Sequence, residues 1–382
     1  MNWFRQTLAN TVGTAEPEYG PEALQSVTAQ AEKTPFTEVT KADLKWKAMQ
    51  ATNVETQVFY LISNDGKVAS VQIIYNNVAG LMTTCQLNVK IFNHRGASAA
   101  DHLWLSDPLE NHGFDEEMIS FYADGVSVSL NEEGDAYIIK SARNESALID
   151  LVVKRATPGF QVGENGTTYY GTDPQNPWGE MRHRFWPRCD VSGNIITPEQ
   201  EYNFAGRGIF VHAIQGMKPH HAAAKWNFVT FQTPTYSAIM MEFTTPPSYA
   251  STTVNVGGIV KDGEILFAGA KNTVKYPESK EDPETLWPEP VSAEWTWEGE
   301  SKEGHVSASI KGDLGERTDR VDVLAHIPGL IKSLVGGVVG TKPFVYQFSS
   351  PPRDSLVLSL KIGDADAVQE QGTIFSEATF IS

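Results

Sequence analysis

From Val54 onward apolar and polar residues alternate, and that alternation confines most of this chain to β-strands. It is clearest over 81–92, where Cys85, Leu87, Val89 and Ile91 fall on one face and Thr84, Gln86, Asn88 and Lys90 on the other. Residues 54–62 follow the same rule, turn at Ser63-Asn-Asp-Gly66, and return over 68–75. Further strands are predicted at 103–105, 118–123, 126–130, 136–142, 147–155 and 181–186, with another turn at Asn131-Glu-Glu-Gly134. Most are joined by short turns and none by a convincing crossover helix. That is the pattern of an up-and-down antiparallel barrel of eight or nine strands.

The second half repeats it. Strands are predicted at 207–214, 225–232, 238–244, 253–260, 264–267, 291–297, 305–311, 320–325, 344–348, 355–362 and 373–380. Trp226 and Phe228 share a face with Thr230 and Gln232, and Val291, Ala293, Trp295 and Trp297 share another. A chain of 382 residues can build two well-buried cores. The expected fold class is therefore all-β, with two antiparallel barrels in tandem. The first is assigned to 40–188 and the second to 202–382. The acidic, proline-rich stretch 277–288 is expected to be a solvated loop.

Between the halves lies a seam, 167–188, where Tyr169, Tyr170, Trp178, Phe185 and Trp186 interleave with Arg182, His183, Arg184 and Arg188. If 181–186 is a strand, Met181, His183 and Phe185 share one face, and Arg182, Arg184 and Trp186 the other. Pro177 and Pro187 would limit that strand at both ends. Two readings stay open. The aromatics pack a junction while the arginines pair with acids, or the seam lines a ligand mouth with apolar walls and a few placed polar groups. The lipid-pocket candidates are Tyr169, Trp178, Arg182, His183, Trp186, Trp226 and Phe228.

Two segments break the β rhythm. Over the first fifteen residues Trp3, Phe4, Leu8 and Val12 recur at helical spacing, with Arg5 the one basic residue. Such a helix, assigned to 1–18, either lies in a membrane interface or docks on the protein itself. Pro17, Gly20 and Pro21 end it. The apolar, glycine-rich stretch 327–340 is too short to span a bilayer. It is read as a helix packed outside the second barrel or as a lid at a barrel mouth.

Charge and motifs exclude several functions. The net charge of −17 argues against nonspecific nucleic-acid binding and polybasic attachment to lipid. Cys85 and Cys189 have no metal-type spacing and are expected to be two reduced thiols in a reducing compartment. No signal peptide or transmembrane-length apolar run is recognised, so a soluble protein of the cytosolic side is expected, with the sequons at Asn144 and Asn165 unused. Adjacent His220 and His221 would point to opposite faces of a strand and do not make a metal site. No nucleotide-binding or nucleophile motif sits in a usable context, so no metal, cofactor or catalytic residue is assigned.

Several strings resemble the fungal survival factor 1 family. They include Gly13-Thr-Ala-Glu-Pro-Glu-Tyr-Gly20, Gly166-Thr-Thr-Tyr-Tyr-Gly171, Pro177-Trp-Gly-Glu-Met-Arg-His183 and Phe185-Trp-Pro-Arg188. In the second half, Gln215-Gly-Met-Lys-Pro-His-His-Ala-Ala-Ala224 and Met241-Glu-Phe-Thr-Thr-Pro246 belong with them. The resemblance runs nearly end to end. It implies two lipocalin-like (calycin) barrels in a ceramide-binding protein, not an enzyme, that moves ceramide without vesicles from endoplasmic reticulum to Golgi membranes. It also implies support of sphingolipid synthesis and of survival under oxidative stress and cold. It further implies a cytoplasmic, peripherally membrane-associated protein, extending to the nucleus, docked by the N-terminal helix and aided by acetylation at Met1. Here Asn2 departs from an apolar second residue, although a Met-Asn start is still an acetylation substrate. A monomer is expected.

The sequence admits three functions: a lipid carrier, a cofactor-free enzyme on a hydrophobic terpenoid or lipid substrate, and a ligand-free stress-response scaffold with filled barrels. Enclosing two long acyl chains requires a widened barrel or the groove between barrels. The carrier also needs a few polar groups to satisfy the amide and hydroxyls.

Overall fold

The computed structural model describes residues 19–78, 80–92, 103–323, 343–350 and 356–381. The N-terminal helix assigned to 1–18 and the lid candidate 327–340 lie outside them.

Four long strands, β1 (Asn53–Ser63), β2 (Val68–Val78), β3 (Met82–Phe92) and β4 (Leu103–Leu109), form one antiparallel meander. A second contains β5 (Phe121–Ala123), β6 (Val126–Leu130), β7 (Ala136–Asn144), β8 (Ala147–Arg155), β9 (Gly179–Ile196) and β10 (Gly206–Gln215). Pairing of β10 with β1 fuses the two into one sheet, ordered β4-β3-β2-β1-β10-β9-β8-β7-β6-β5 and ending at the short strand Gly113–Phe114. Only residues 110–112 separate β4 from Gly113–Phe114, at the other end of that order. So short a link spans roughly 10 Å, so the two ends of the sheet must meet. Arg143 and Asn144 of β7 hydrogen-bond Pro108 and Asp107 of β4 across the meeting point. The sheet thus curls around a core to which Phe59, Ile73 and Leu87 contribute from one side and Phe121, Tyr137 and Leu151 from the other.

The second half is built from β11 (Lys225–Gln232), β12 (Tyr236–Thr244), β13 (Thr253–Lys261), β14 (Glu264–Gly269), β15 (Ser292–Ser301), β16 (Gly304–Asp313), β17 (Asp319–Asp322), β18 (Phe344–Ser350), β19 (Val357–Ile362) and β20 (Thr373–Phe380). A seven-stranded sheet, β14-β13-β12-β11-β20-β18-β17, packs on a five-stranded sheet centred on β15, β16 and β19. Trp295 and Trp297 of β15 fill the space between them against Phe231, Met240 and Phe348. The Trp297 indole donates to the Ile239 carbonyl at 3.0 Å. The all-β, lipocalin-like class is thus the observed one.

Two expectations are corrected and a third is refined. Residues 207–214, read as the start of the second unit, belong to β10 of the first sheet, where Phe210 stacks on Phe59 and Tyr137. Pro187 does not end its strand; β9 runs through it, with a shift of register between Trp186 and Cys189. A bulge has no need of the missing proline N–H. The acidic stretch 277–288 is exposed along most of its length, as expected, but it is anchored at Asp282 and Thr285. Asp282 is only 2% exposed and accepts bonds from Arg320 at 2.7 and 2.9 Å and from the Tyr346 hydroxyl at 2.9 Å. Its acids looked unpartnered because Arg317 and Arg320 arrive from elsewhere in the chain.

The other face of the seven-stranded sheet packs against the outside of the first sheet through Tyr60, Phe92, Phe185, Phe228 and Phe375. Arg188 of β9 crosses that junction, fully buried. It donates to Asp262 at 2.5 Å, to the carbonyls of Thr233 and Tyr236 at 3.2 Å and of Pro234 at 2.6 Å, and to Ser237 at 3.0 Å. Arg188→Met should lower stability in urea unfolding by about 3–5 kcal/mol, because it leaves this set of acceptors unpaired. A loss below about 1 kcal/mol would show that the junction does not depend on this residue.

Candidate functional site

Strands of the first sheet have no solvent face where the second sheet covers them. In β1 the residues Glu55, Gln57, Phe59 and Leu61 point into the first core, leaving Val54, Thr56, Val58 and Tyr60 to face outward. The same split in β9 sends Met181, His183 and Phe185 outward and Arg182, Arg184 and Trp186 inward. The outward residues meet Trp226 and Phe228 of β11, Met241 of β12, and Val345 of β18 across a gap the side chains do not close. The result is a cavity of about 440 Å³, mostly apolar, lying between the sheets rather than within either core. That volume is ordinary for a small-molecule pocket, roughly 300–1,000 Å³.

Polar groups gather on part of the wall. Gln72, Asn88 and Ser106 are aligned in register across β2, β3 and β4. Asn88 donates to Gln72 at 3.1 Å, and its own carbonyl oxygen, fully buried, has no partner among the described residues. Next to them Lys90 is 1% exposed. Its ammonium bonds Asp319 and Gln347 of the second half, the latter at 2.5 Å, and sits 4.5 Å from the centre of the Trp104 ring. Gln347 in turn donates to Glu377 at 2.6 Å. Burial pushes the Glu377 carboxyl above its ordinary value, against the opposing pull of Gln347 and Lys90. Tyr60 stacks on Phe228 at 5.1 Å, and burial together with Glu377 keeps its hydroxyl protonated well past the ordinary range.

Comparison with known proteins follows that geometry. The family model for the Svf1 family matches residues 1–382. This chain belongs to the Svf1 family. It is 57% identical to the ceramide-binding protein svf1 of Emericella nidulans, with all of both chains covered. It is 41% identical to that of Schizosaccharomyces pombe, covering all of this chain and 99% of the other. Among solved structures it is similar to CghA, with a TM-score of 0.52 at 11% identity over 94% of this chain and 98% of that one. Kievitone hydratase from Nectria haematococca gives 0.50 at 13%, over 96% and 98%. At such identities the structural likenesses speak only for the fold.

In this Svf1-family chain the sequence-nominated residues divide. His183, Trp226 and Phe228 line the cavity. Trp186 is wholly inside the first core against Tyr137 and Phe210. Arg182 lies half-buried on that same side of β9, and strand alternation, which placed it opposite His183, is the reason. Tyr169 and Trp178 sit on the flank of β9. There Tyr169 accepts from Asn165 at 3.1 Å, and Trp178 packs edge-on to Tyr170 and His221. Residues 219–222 form a helical turn rather than the strand assumed for the histidine pair. Lys90, Gln347, Glu377 and Tyr60 were missed. The one signal for them was the polar face Gln86, Asn88, Lys90, which reads as solvent-facing until a second sheet is laid over it.

His183 is 7% exposed, and burial, with Arg182 adding to it, pushes its imidazole down to about 4. Above about pH 6.5 the ring is neutral in both folded and unfolded chains and contributes nothing to pH dependence. As pH falls from there toward 4 the unfolded chain takes up a proton that the folded chain refuses, so stability falls. His183→Gln should flatten part of that fall in urea midpoints measured between pH 7 and 4.5. Parallel curves for variant and wild type would place the acid sensitivity elsewhere.

Proposed function

We propose that this chain binds a ceramide in the cavity between its two sheet systems and carries it through the cytoplasm from endoplasmic reticulum to Golgi membranes. The observation that carries the reading is the cavity itself: mostly apolar walls that also carry polar groups, in a chain whose relatives are named ceramide-binding proteins. A ceramide has two apolar chains and a small uncharged head with an amide and hydroxyls. Apolar walls would shelter the chains, and the patch around Asn88, Gln347 and Glu377 would satisfy the head, whose polar groups are costly to bury unpaired.

Membrane docking rests on the sequence alone. Trp3, Phe4, Leu8 and Val12 would form the inserting face, and acetylation at Met1 would remove a charge beside it. Binding through so short and nearly uncharged a helix is weak, which suits a carrier that must leave each membrane. The proposal extends to a monomer acting as a binding protein, with support of sphingolipid synthesis and oxidative-stress survival following from delivery of the lipid.

Mass spectrometry of lipids co-purifying with the native protein should find ceramide near one per chain. Ala213 lines the cavity, and its strand position turns its side chain toward it. Ala213→Trp should reduce recovered ceramide about tenfold or more, with the thermal midpoint little changed, because the bulk enters a void rather than a packed core. Undiminished ceramide in that variant would remove the cavity from the proposal. A chemically altered lipid after prolonged incubation would turn it toward catalysis. Replacing Trp3 and Phe4 by Asp should release the protein from vesicles while leaving lipid content unchanged.

A further inference from the structure

The polar patch has a chemical bias that goes further than accommodating a head group. Its one cation among the described residues, Lys90, is already engaged by Asp319 and Gln347 and lies beside the rings of Phe92 and Trp104. Two carboxyl groups, Asp319 and Glu377, face that single ammonium, so the patch carries no surplus positive charge. The buried polar atom that the described residues leave unpartnered in it is an acceptor. The Asn88 carbonyl oxygen is buried without a partner, and Gln347 is the hydrogen-bond partner of the Glu377 carboxyl among the described residues. Ser106 stands in register with Asn88 on the next strand and can donate or accept. Tyr60 also lines the cavity, and its hydroxyl can donate.

We infer that this cluster, Asn88, Lys90, Gln347 and Glu377, is a head-group filter that admits uncharged lipids bearing hydroxyl and amide N–H donors and rejects their phosphorylated counterparts. The inference rests on the cavity being the lipid site. A hydroxyl or amide N–H of the ligand donates to the Asn88 oxygen and to the Glu377 carboxyl, which among the described residues receives a side-chain bond from Gln347. A phosphate brings close to two negative charges and several acceptors but no compensating donor. It would meet Glu377 and Asp319 across a medium that screens poorly, with the one lysine already paired. The device is selective because it is built from unsatisfied acceptors and a neutralised cation, the reverse of a phosphate site, where free arginine or lysine groups await the ligand.

The test is a competition assay on the full-length protein. A fluorescent short-chain ceramide would be displaced by unlabelled ceramide, by ceramide 1-phosphate, and by 1-deoxyceramide, which lacks the terminal hydroxyl. The wild-type protein should bind ceramide 1-phosphate at least about tenfold more weakly than ceramide, and 1-deoxyceramide more weakly by a similar factor. Glu377→Gln, which keeps the shape and removes the charge, should narrow the gap between ceramide and its phosphate severalfold. Asn88→Leu should weaken ceramide but leave 1-deoxyceramide nearly unchanged if the terminal hydroxyl is the group it receives. Equal affinity of wild type for all three ligands would overturn the filter while leaving a lipid cavity intact. Failure to bind the fluorescent ceramide at all would overturn the cavity reading and the filter with it. The ligand comparison on wild type needs no variant, so a misfolded Glu377→Gln protein would not spare the inference.

Discussion

Arg188 joins two sheets that share no strand. Its guanidinium leaves β9 of the first sheet and is used up by Asp262, three backbone carbonyls and a serine hydroxyl in the second half. A fully buried arginine tolerates little displacement, since each donor that loses its partner costs as much as an unsatisfied buried group. It therefore sets the distance between the sheets at one place. The rings of Tyr60, Phe228 and Phe375 set it at a second, and the Lys90–Gln347–Glu377 chain at a third. Between these props the facing side chains, Val58, Ala213, Met241 and Val345 among them, are too short to meet. The cavity is what remains when two surfaces are held apart by a few long residues and lined by shorter ones.

This arrangement loads the first sheet twice. Each of its central strands must fill a core with one set of alternate residues and furnish a cavity wall with the other. In β1 that means Phe59 and Leu61 inward, Val58 and Tyr60 outward, with neither set in water. A shift of register by one residue would exchange the two sets and place Glu55 and Gln57 in the cavity wall. Glu55 guards against that shift. It lies buried at the end of the first core, where burial opposes its charge. The bond from His212 and those from the backbone N–H groups of Lys47 and Ala48 nevertheless hold its carboxyl below the ordinary value. Those partners exist only on the inward side.

What could be read from sequence follows the same division. Alternation is local, so the faces were legible: Met181, His183 and Phe185 do lie together, opposite Arg182, Arg184 and Trp186, and Cys85, Leu87 and Val89 do face a core. Alternation does not say what lies across from a face. Trp186 and Trp226 look alike as strand tryptophans, yet one fills a core and the other lines the cavity. The strand at 206–215 carries no mark that it pairs with β1, more than a hundred and forty residues earlier, as well as with β9. Asp282 reads as one acid among several until Arg320 is brought to it. Pro187 reads as a strand end because a bulge is a property of two strands and only one was in view.

The polar patch was hidden for a further reason. Lys90, Asp319, Gln347 and Glu377 come from both halves of the chain, and each alone is an unremarkable polar residue on the outward face of a strand. Together they form a compensated set. The lysine cancels one carboxylate, the glutamine relays between the lysine and Glu377, and the alternation that would have placed all of them in water instead turns them toward one another. Polar residues buried in this way must be matched in charge and in donors when the site is empty, or the two sheets would not close over them. The same matching leaves acceptors in excess by a small margin, at Asn88 and Glu377. A margin of this kind costs the empty protein a little stability and is recovered only by a ligand that donates hydrogen bonds without bringing charge. The physical requirement for burying the patch and the chemical preference of the patch are thus one constraint seen from the two states of the cavity.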